Sequence, residues 1–311
     1  MKILLITTGG TIASVIDDGV IGVTDSGKLS VLKKYREIDT QTEFDVISPL
    51  NILSENITNN DYRIIAETVR DADKSAYDGI IVTHGSDTLS YTSAMLGLLF
   101  SDINIPIAVV AADKALQDEK SNGMDNFIAA VETVRHFSSG VYVPYRNGDG
   151  KVYIHHGVHL FESGVLSDDF YSLYGACAIF ENGVITETES INAPLHKVDI
   201  NTADLSFSQK IMQICPYPGL DYSRIDISGL DAVIHRTYHA GSVCTSKNQF
   251  NNAGEFIARC EKENIRFYIC GLKLGKAQYE SLASLFSSFT QPLYDMAPAC
   301  AYMKLMLRGT K

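Results

Sequence analysis

Apolar residues fall in short unbroken runs along this chain, and two of the runs end abruptly in glycines and hydroxyls. Residues 3–6 lead into Thr7-Thr8-Gly9-Gly10-Thr11, and residues 80–82 lead into Thr83-His84-Gly85-Ser86-Asp87-Thr88. A run without alternation, closed by glycine, is the pattern of a strand covered on both faces. Further strands are predicted over 44–50 and 105–112, and near the C-terminus around 213–214, 232–234 and 267–269. Between them the period changes. Phe127, Ile128, Val131 and Val134 recur at helical spacing within 122–136. Thr58-Asn59-Asn60-Asp61 supplies capping residues for a helix over 62–72, and further helices are predicted over 89–100, 250–262 and from Ala297 onward. Asn147-Gly148-Asp149-Gly150 marks a hairpin joining strands over 140–145 and 151–156. The Gly- and Asp-rich stretch 15–29 reads as a mobile, hairpin-like loop.

Strands alternating with helices predict an α/β fold with a mostly parallel, doubly wound sheet. The pattern weakens between Ile191 and Ile214, which suggests a large N-terminal domain over 1–190, a connection over 191–212 and a smaller C-terminal α/β domain over 213–311. A chain of 311 residues is long enough for two cores. No stretch approaches eighteen apolar residues, so no membrane span is expected. With 26 basic and 37 acidic residues, net charge −11, a nucleic-acid partner is disfavoured. The opening Met1-Lys2-Ile3-Leu4-Leu5-Ile6 is too short for a secretory signal and lacks a cleavage pattern, so a cytoplasmic protein is expected.

The six cysteines form no C-x-x-C pair and are expected to be reduced, mostly buried thiols. His155, His156 and His159 alternate along a strand without a carboxylate or cysteine at ligand spacing; they are read as surface or core histidines, with no metal site. In an open parallel sheet, ligands collect beyond the carboxyl ends of strands. Thr11 on one loop, and Ser86 and Asp87 on another, are therefore expected to share a cleft. Thr7-Thr8-Gly9-Gly10-Thr11 is not G-x-G-x-x-G, and no acidic residue closes a second strand at the required distance, so a dinucleotide site is disfavoured; no cofactor is expected. Each motif also has a plain structural reading: Ser86, Asp87 and Thr88 are common helix caps, Ser54 and Glu55 suit a solvated turn, and His84 suits packing behind its loop.

Read together and in order, Thr8-Gly9-Gly10-Thr11-Ile12-Ala13 and His84-Gly85-Ser86-Asp87-Thr88 resemble the two signature motifs of the bacterial-type L-asparaginase family, closest to its cytoplasmic type I group. Leu53 to Thr58 resembles the family's substrate-clamping segment, Asn122 to Phe127 its D-G-x-x-N turn, and Met296-Ala297-Pro298 to Leu307 its last helix. The resemblance implies an amidohydrolase that converts asparagine, or a related amide, to aspartate and ammonia. Thr11 would be the nucleophile, with Ser86 and Asp87 in a second hydroxyl–carboxylate relay. Ser54, Glu55, Gly85 and Ala112 would bind the amino-acid substrate, and the loop with Thr24 would form a lid. It also implies a homodimer or homotetramer with sites near subunit interfaces.

The chain departs from the family at Glu55, where glutamine, serine or aspartate is usual, and at four further places. No tyrosine lies between Thr11 and Leu29; Ser86 replaces threonine; Ser242 replaces an asparagine in Tyr238 to Val243; and matching Ser167-Asp168-Asp169-Phe170 puts Gly164 where a catalytic lysine is normal. Lys114 and Lys151 are the candidate substitutes. A binding protein or weak enzyme that keeps the cleft is therefore the alternative. The tRNA-linked amidotransferase member of the same superfamily is disfavoured because the chain begins directly at its first strand.

Overall fold

A computed structural model of the chain describes residues 1–17, 20–23, 29–247 and 250–308, with 13–23 described by backbone alone. It divides into two compact units, Met1–Ser206 and Phe207–Lys311, so the stretch 191–206 groups with the first. In the first unit the elements run β1 (Lys2–Thr7), β2 (Ser14–Asp17), β3 (Val20–Val23), α1 (Ser30–Tyr35), β4 (Glu43–Ile47), α2 (Asn59–Asp71), β5 (Gly79–Thr83), α3 (Leu89–Phe100), β6 (Ile107–Val110), α4 (Gly123–His136), β7 (Val141–Arg146), β8 (Val152–His156), β9 (Ala178–Glu181) and β10 (Val184–Glu187). β2 and β3 pair antiparallel within the Gly- and Asp-rich stretch.

Among the described residues, one sheet of eight strands has the order β10-β9-β8-β7-β6-β5-β1-β4. Pairing is parallel from β4 through β7 and antiparallel from β7 through β10. Both faces of the parallel part are covered. Ile3, Leu5, Ile81, Ala108 and Val110 pack with Val31, Leu32 and Tyr35 of α1 and Phe127, Ala130, Val131 and Val134 of α4. The alternate residues Leu4, Ile6, Ile80 and Val82 are equally buried on the other face. This is why the strands read as unbroken apolar runs. α3 is buried nearly all round, as an apolar sequence of that kind requires. α2 instead buries one stripe, Tyr62, Ile65, Ala66 and Val69, and begins three residues before the expected Tyr62, where the Asp61 carboxylate accepts from the Thr58 N–H at 2.8 Å.

The three histidines of the β8 region are core residues that fasten later chain. His155 Nδ1 meets Ser172 Oγ at 2.8 Å, His156 Nε2 lies 3.1 Å from Ile191 O, and His159 Nε2 lies 3.0 Å from Pro194 O. Because a carbonyl oxygen only accepts, the last two nitrogens carry the proton. Four cysteines, Cys177, Cys260, Cys270 and Cys300, are buried free thiols, with Cys244 half-buried and Cys215 exposed. The hairpin β9–β10 turns at Asn182 (φ 53°) and Gly183 (φ 81°), an Asn-Gly turn absent from the predicted elements.

The second unit has its own four-stranded parallel sheet in the order β11 (Ile211–Ile214), β12 (Ala232–Arg236), β13 (Arg266–Leu272) and β14 (Thr290–Tyr294). α5 (Ala253–Lys262) and the short α6 (Glu280–Ala283) contribute to one core of this unit and α7 (Pro298–Arg308) to another. No helix among the described residues is long and apolar enough to cross a membrane.

Candidate functional site

The strand order fixes where a ligand would go. β4 lies on one side of β1 and the next strand, β5, on the other, so the chain changes direction across the sheet between β1 and β5. Loops leaving the carboxyl ends of two such strands diverge and leave a crevice. Thr7 and Thr83 are register partners at those ends, and Thr8 Oγ1 donates to Thr83 O at 2.8 Å. The loop after β1 then folds onto the other two loops through glycine. Gly9 (φ +110°) and Gly10 (φ +76°) both sit in the left-handed region that L side chains avoid. Gly10 N donates to Ile52 O at 2.9 Å and Ile52 N to Thr8 O at 3.0 Å. A Cβ on Gly10 would lie 2.6 Å from Gly85 Cα, and one on Gly85 would lie 2.6 Å from Ser54 Cβ and 3.3 Å from Gly10 Cα. Three loops separated widely in sequence thus meet at van der Waals range. Thr11 directly follows this contact and Ser86 and Asp87 directly follow Gly85.

Ser54 is buried, and its Oγ donates to Asp87 Oδ2 at a long 3.4 Å; Glu55 and Asp87 are exposed. Thr88 occupies the N-cap of α3 without capping it. Its hydroxyl donates instead to Ser54 O at 3.0 Å, tying the 54 loop to the start of α3. The structure therefore corrects the reading of Thr88 as an ordinary cap. Behind the loop, His84 Nδ1 lies 2.8 Å from Gly85 O and must donate to it, leaving Nε2 to accept from Thr92 Oγ1 at 2.8 Å. Burial pushes His84 down to about 4, so it stays neutral near pH 7 and serves as a strut for the Gly85 carbonyl. Ala112 is buried beside a turn held by Asn122 and Asn126. Asn122 and Asp113 exchange two bonds of 2.9 Å, and Asn126 Nδ2 donates to Ala111 O at 2.9 Å.

Ser86 and Asp87 line a cavity of about 340 Å³ whose far wall is the segment 163–168, including Gly164, Ser167 and Asp168, with Tyr145 and Phe170 alongside. The Tyr145 and Phe170 rings meet edge to face at 4.7 Å, and burial raises the Tyr145 phenol well above its ordinary value. No lysine or arginine is among the described residues lining the cavity. Lys114 pairs with Asp113 at 3.7 Å, and Lys151 is exposed on the β7–β8 hairpin; neither lines it. Thr11, Ser54, Glu55, Gly85 and Ala112 are also not among the described lining residues. Thr24 lies outside the described residues. In the second unit, Ser242 O accepts from Tyr238 N at 2.9 Å across the turn with Gly241 (φ +77°). Tyr145 and Ser163 carry no signal in the sequence, and Asp168 enters it only within the Ser167-to-Phe170 match. Only the fold of the 163–170 segment, held where Asn147 Nδ2 donates to Phe170 O at 3.0 Å, brings them to the end of β5.

Comparison with known proteins identifies the family and the fold. The model of the family described as "Asparaginase, N-terminal" matches residues 2–160. Two curated relatives, each a component of a glutamyl-tRNA(Gln) amidotransferase, come from Haloquadratum walsbyi (28% identical over 227 residues, 71% of this chain and 51% of the relative) and Methanococcus maripaludis (26% over 231 residues, 71% and 54%). The chain spans about half the length of these relatives. Among solved structures, the thermostable L-asparaginase from Thermococcus kodakarensis matches with a TM-score of 0.75 at 23% identity, covering 98% of this chain and 92% of its own. L-asparaginase I from Vibrio cholerae matches with a TM-score of 0.76 at 19% identity, covering 100% and 93%. At these identities the structures testify to a shared fold.

Proposed function

The chain belongs to the asparaginase family, and on that premise we propose that it is an amidohydrolase acting on the side-chain amide of asparagine or a related amino acid. The observation that carries this reading is the backbone contact of Gly10 with Gly85 at the β1/β5 crevice, which joins the Thr11 loop to the Ser86–Asp87 loop. In this reading Thr11 Oγ1 attacks the amide carbon, the C–N bond breaks, and the nitrogen leaves as ammonia after taking a proton. Water then cleaves the resulting ester and regenerates the hydroxyl. Asp87, with Ser86, relays protons, and N–H groups at the start of α3 favour the developing oxyanion. Ser54 and Glu55 supply a hydroxyl and a carboxylate for the substrate's α-carboxylate and α-ammonium. Assembly into homodimers or homotetramers belongs to the same proposal.

Glutamine stands beside asparagine as a candidate because the curated relatives are named for glutamyl-tRNA(Gln) amidotransferase. Ammonia release measured with asparagine, glutamine and N-substituted asparagines tests the function: release from at least one is expected. Saturable binding with release from none would favour the second reading, an amino-acid-binding member with lost turnover. That reading draws on the cavity beside Asp87, where no described lining residue is a cation.

Gly164→Lys tests whether a cation beside Asp87 matters to turnover. A Cβ on Gly164 would meet only Ser167 Cβ, at 3.6 Å, so the backbone accepts a side chain there. A cation in the wall facing Ser86 and Asp87 favours the deprotonated hydroxyl. Turnover of the best amide is expected to rise by about tenfold, the yield of one pKa unit of matched interaction. An unchanged rate would show that the wall opposite Asp87 takes no part in the chemistry.

A further inference from the structure

We propose that the preferred substrate is a secondary amide: asparagine whose side-chain nitrogen carries an apolar-bodied substituent without negative charge. The inference rests on the amide reading above and narrows its substrate class.

Asp87 marks where the substituent would begin. Its carboxylate takes the long bond from Ser54 Oγ and also lines the cavity of about 340 Å³, whereas Thr11, Ser54 and Glu55 are not among the described lining residues. The groups assigned to attack the amide and to hold the α-carboxylate and α-ammonium therefore leave that space unfilled, and it adjoins them at Asp87. In the proposed chemistry Ser86 and Asp87 act at the amide, so the part of a substrate that meets the cavity is the amide nitrogen and whatever it carries. The room is ample. The volume is more than twice the roughly 150 Å³ that takes up benzene in a protein interior.

The far wall is fastened at both ends. At one end Tyr91 OH of α3 donates to Glu162 Oε1 at 2.5 Å; at the other Gly148 N donates to Asp169 Oδ1 at 2.6 Å and Phe170 N to Asn147 Oδ1 at 3.0 Å. Within it Ser163 Oγ donates to Ser167 O at 2.6 Å, which closes the segment on itself. Between these anchors Gly164 has no side chain to fill the space, and Val165 and Leu166 line it while almost wholly exposed. Leu166 also holds φ +61°, a conformation that L side chains avoid. Two adjacent aliphatic side chains left in water at the wall of a cavity offer apolar area to a ligand. Asp87 and Asp168 line the same space, with no lysine or arginine among the described lining residues, so a substituent with a carboxylate would meet like charge.

With such a substrate the C–N bond breaks as before, but the group that leaves with the added proton is a primary amine in place of ammonia. Water then cleaves the ester on Thr11 and aspartate is released.

Aspartate formation from asparagine, from its side-chain N-benzyl derivative and from its side-chain N-carboxymethyl derivative tests this, compared as kcat/KM. The benzyl amide is expected to exceed both others by about tenfold or more, the lower range for apolar discrimination in a pocket. The double variant Val165→Ser/Leu166→Ser, altered only at exposed positions, is expected to lose that preference, bringing the benzyl-to-asparagine ratio close to one. Asparagine turned over as well as the benzyl amide, or a preference that survives the double variant, would overturn the proposal. Hydrolysis of none of the three would end the amide reading instead. Calorimetric titration with the same compounds then decides the cavity's role: benzyl binding tighter than asparagine by about tenfold supports it, and equal binding overturns it.

Discussion

Thr11→Ala and Asp87→Ala are each expected to remove the proposed amide hydrolysis while leaving the chain folded. Thr11 is half-buried and opens a single turn of 3-10 helix, and Asp87 is exposed with one long bond to Ser54, so neither truncation opens the core. Stability is expected to change by no more than about 1 kcal/mol. Turnover is another matter. Without the hydroxyl there is no atom to carry the acyl group, and kcat is expected to fall by at least about a thousandfold. Removing a positioned proton relay costs about 10²–10⁴-fold, so Asp87→Ala lies in the same range. Losses confined to kcat, with KM nearly held, would mark both side chains as acting on the reacting atoms. The double variant should lose little more than Thr11→Ala alone, because the two act on one step. Ammonia release and thermal melting on the same preparations check this; a variant that retains near-normal turnover would remove its residue from the site.

Gly10→Ala is expected to damage both stability and activity. Alanine at φ +76° carries a strain of about 1–2 kcal/mol. Its Cβ would also press on the Gly85 backbone, which cannot swing aside as a side chain would. Together these predict a loss of about 3 kcal/mol or more. For a unit of this size that lowers the melting temperature by about 6–12 °C. Gly150→Ala is the matched control. Gly150 has φ +84° but nothing within 4 Å of a Cβ, so it carries the conformational strain alone. Calorimetry on both variants separates the two terms, and a Gly10 variant no worse than its Gly150 counterpart would deny that the loop contact is tight. Since the contact joins the loop that carries Thr11 to the loop that carries Ser86 and Asp87, turnover of Gly10→Ala is expected to fall even at temperatures where it remains folded.

Much of the fold around the candidate site is legible in the sequence because it is local. The unbroken apolar runs of β1 and β5 identify doubly covered strands, and a Gly-Gly pair right after a strand announces a backbone that must turn through positive φ. The Asn147–Gly150 hairpin and the 89–100 helix are equally plain, the latter spanning Leu89–Phe100 as expected. What stays dark depends on where distant segments come to rest. Thr88 has the chemistry of a helix cap, and only the position of the 54 loop turns its hydroxyl toward Ser54 O. Tyr145 and Ser163 look like an ordinary strand residue and an ordinary loop hydroxyl until the fold brings them to the cavity that Ser86 and Asp87 line. His155, His156 and His159 each bond chain between seventeen and thirty-five residues away, which no spacing rule reveals. The Asn182-Gly183 turn is different: an Asn-Gly pair between apolar runs is a local hairpin signal, present in the sequence and unused.

All of the proposed chemistry turns on Thr11 carrying the acyl group. Quenching the protein in acid during turnover of its best amide, then digesting it and mapping adducts by mass spectrometry, looks for that ester itself. The substrate's acyl group is expected on the peptide containing Thr11, absent from Thr11→Ala and more abundant in Asp87→Ala if water attack slows more than acylation. Turnover with no adduct on that peptide, or with an adduct on any other hydroxyl, would contradict the assignment.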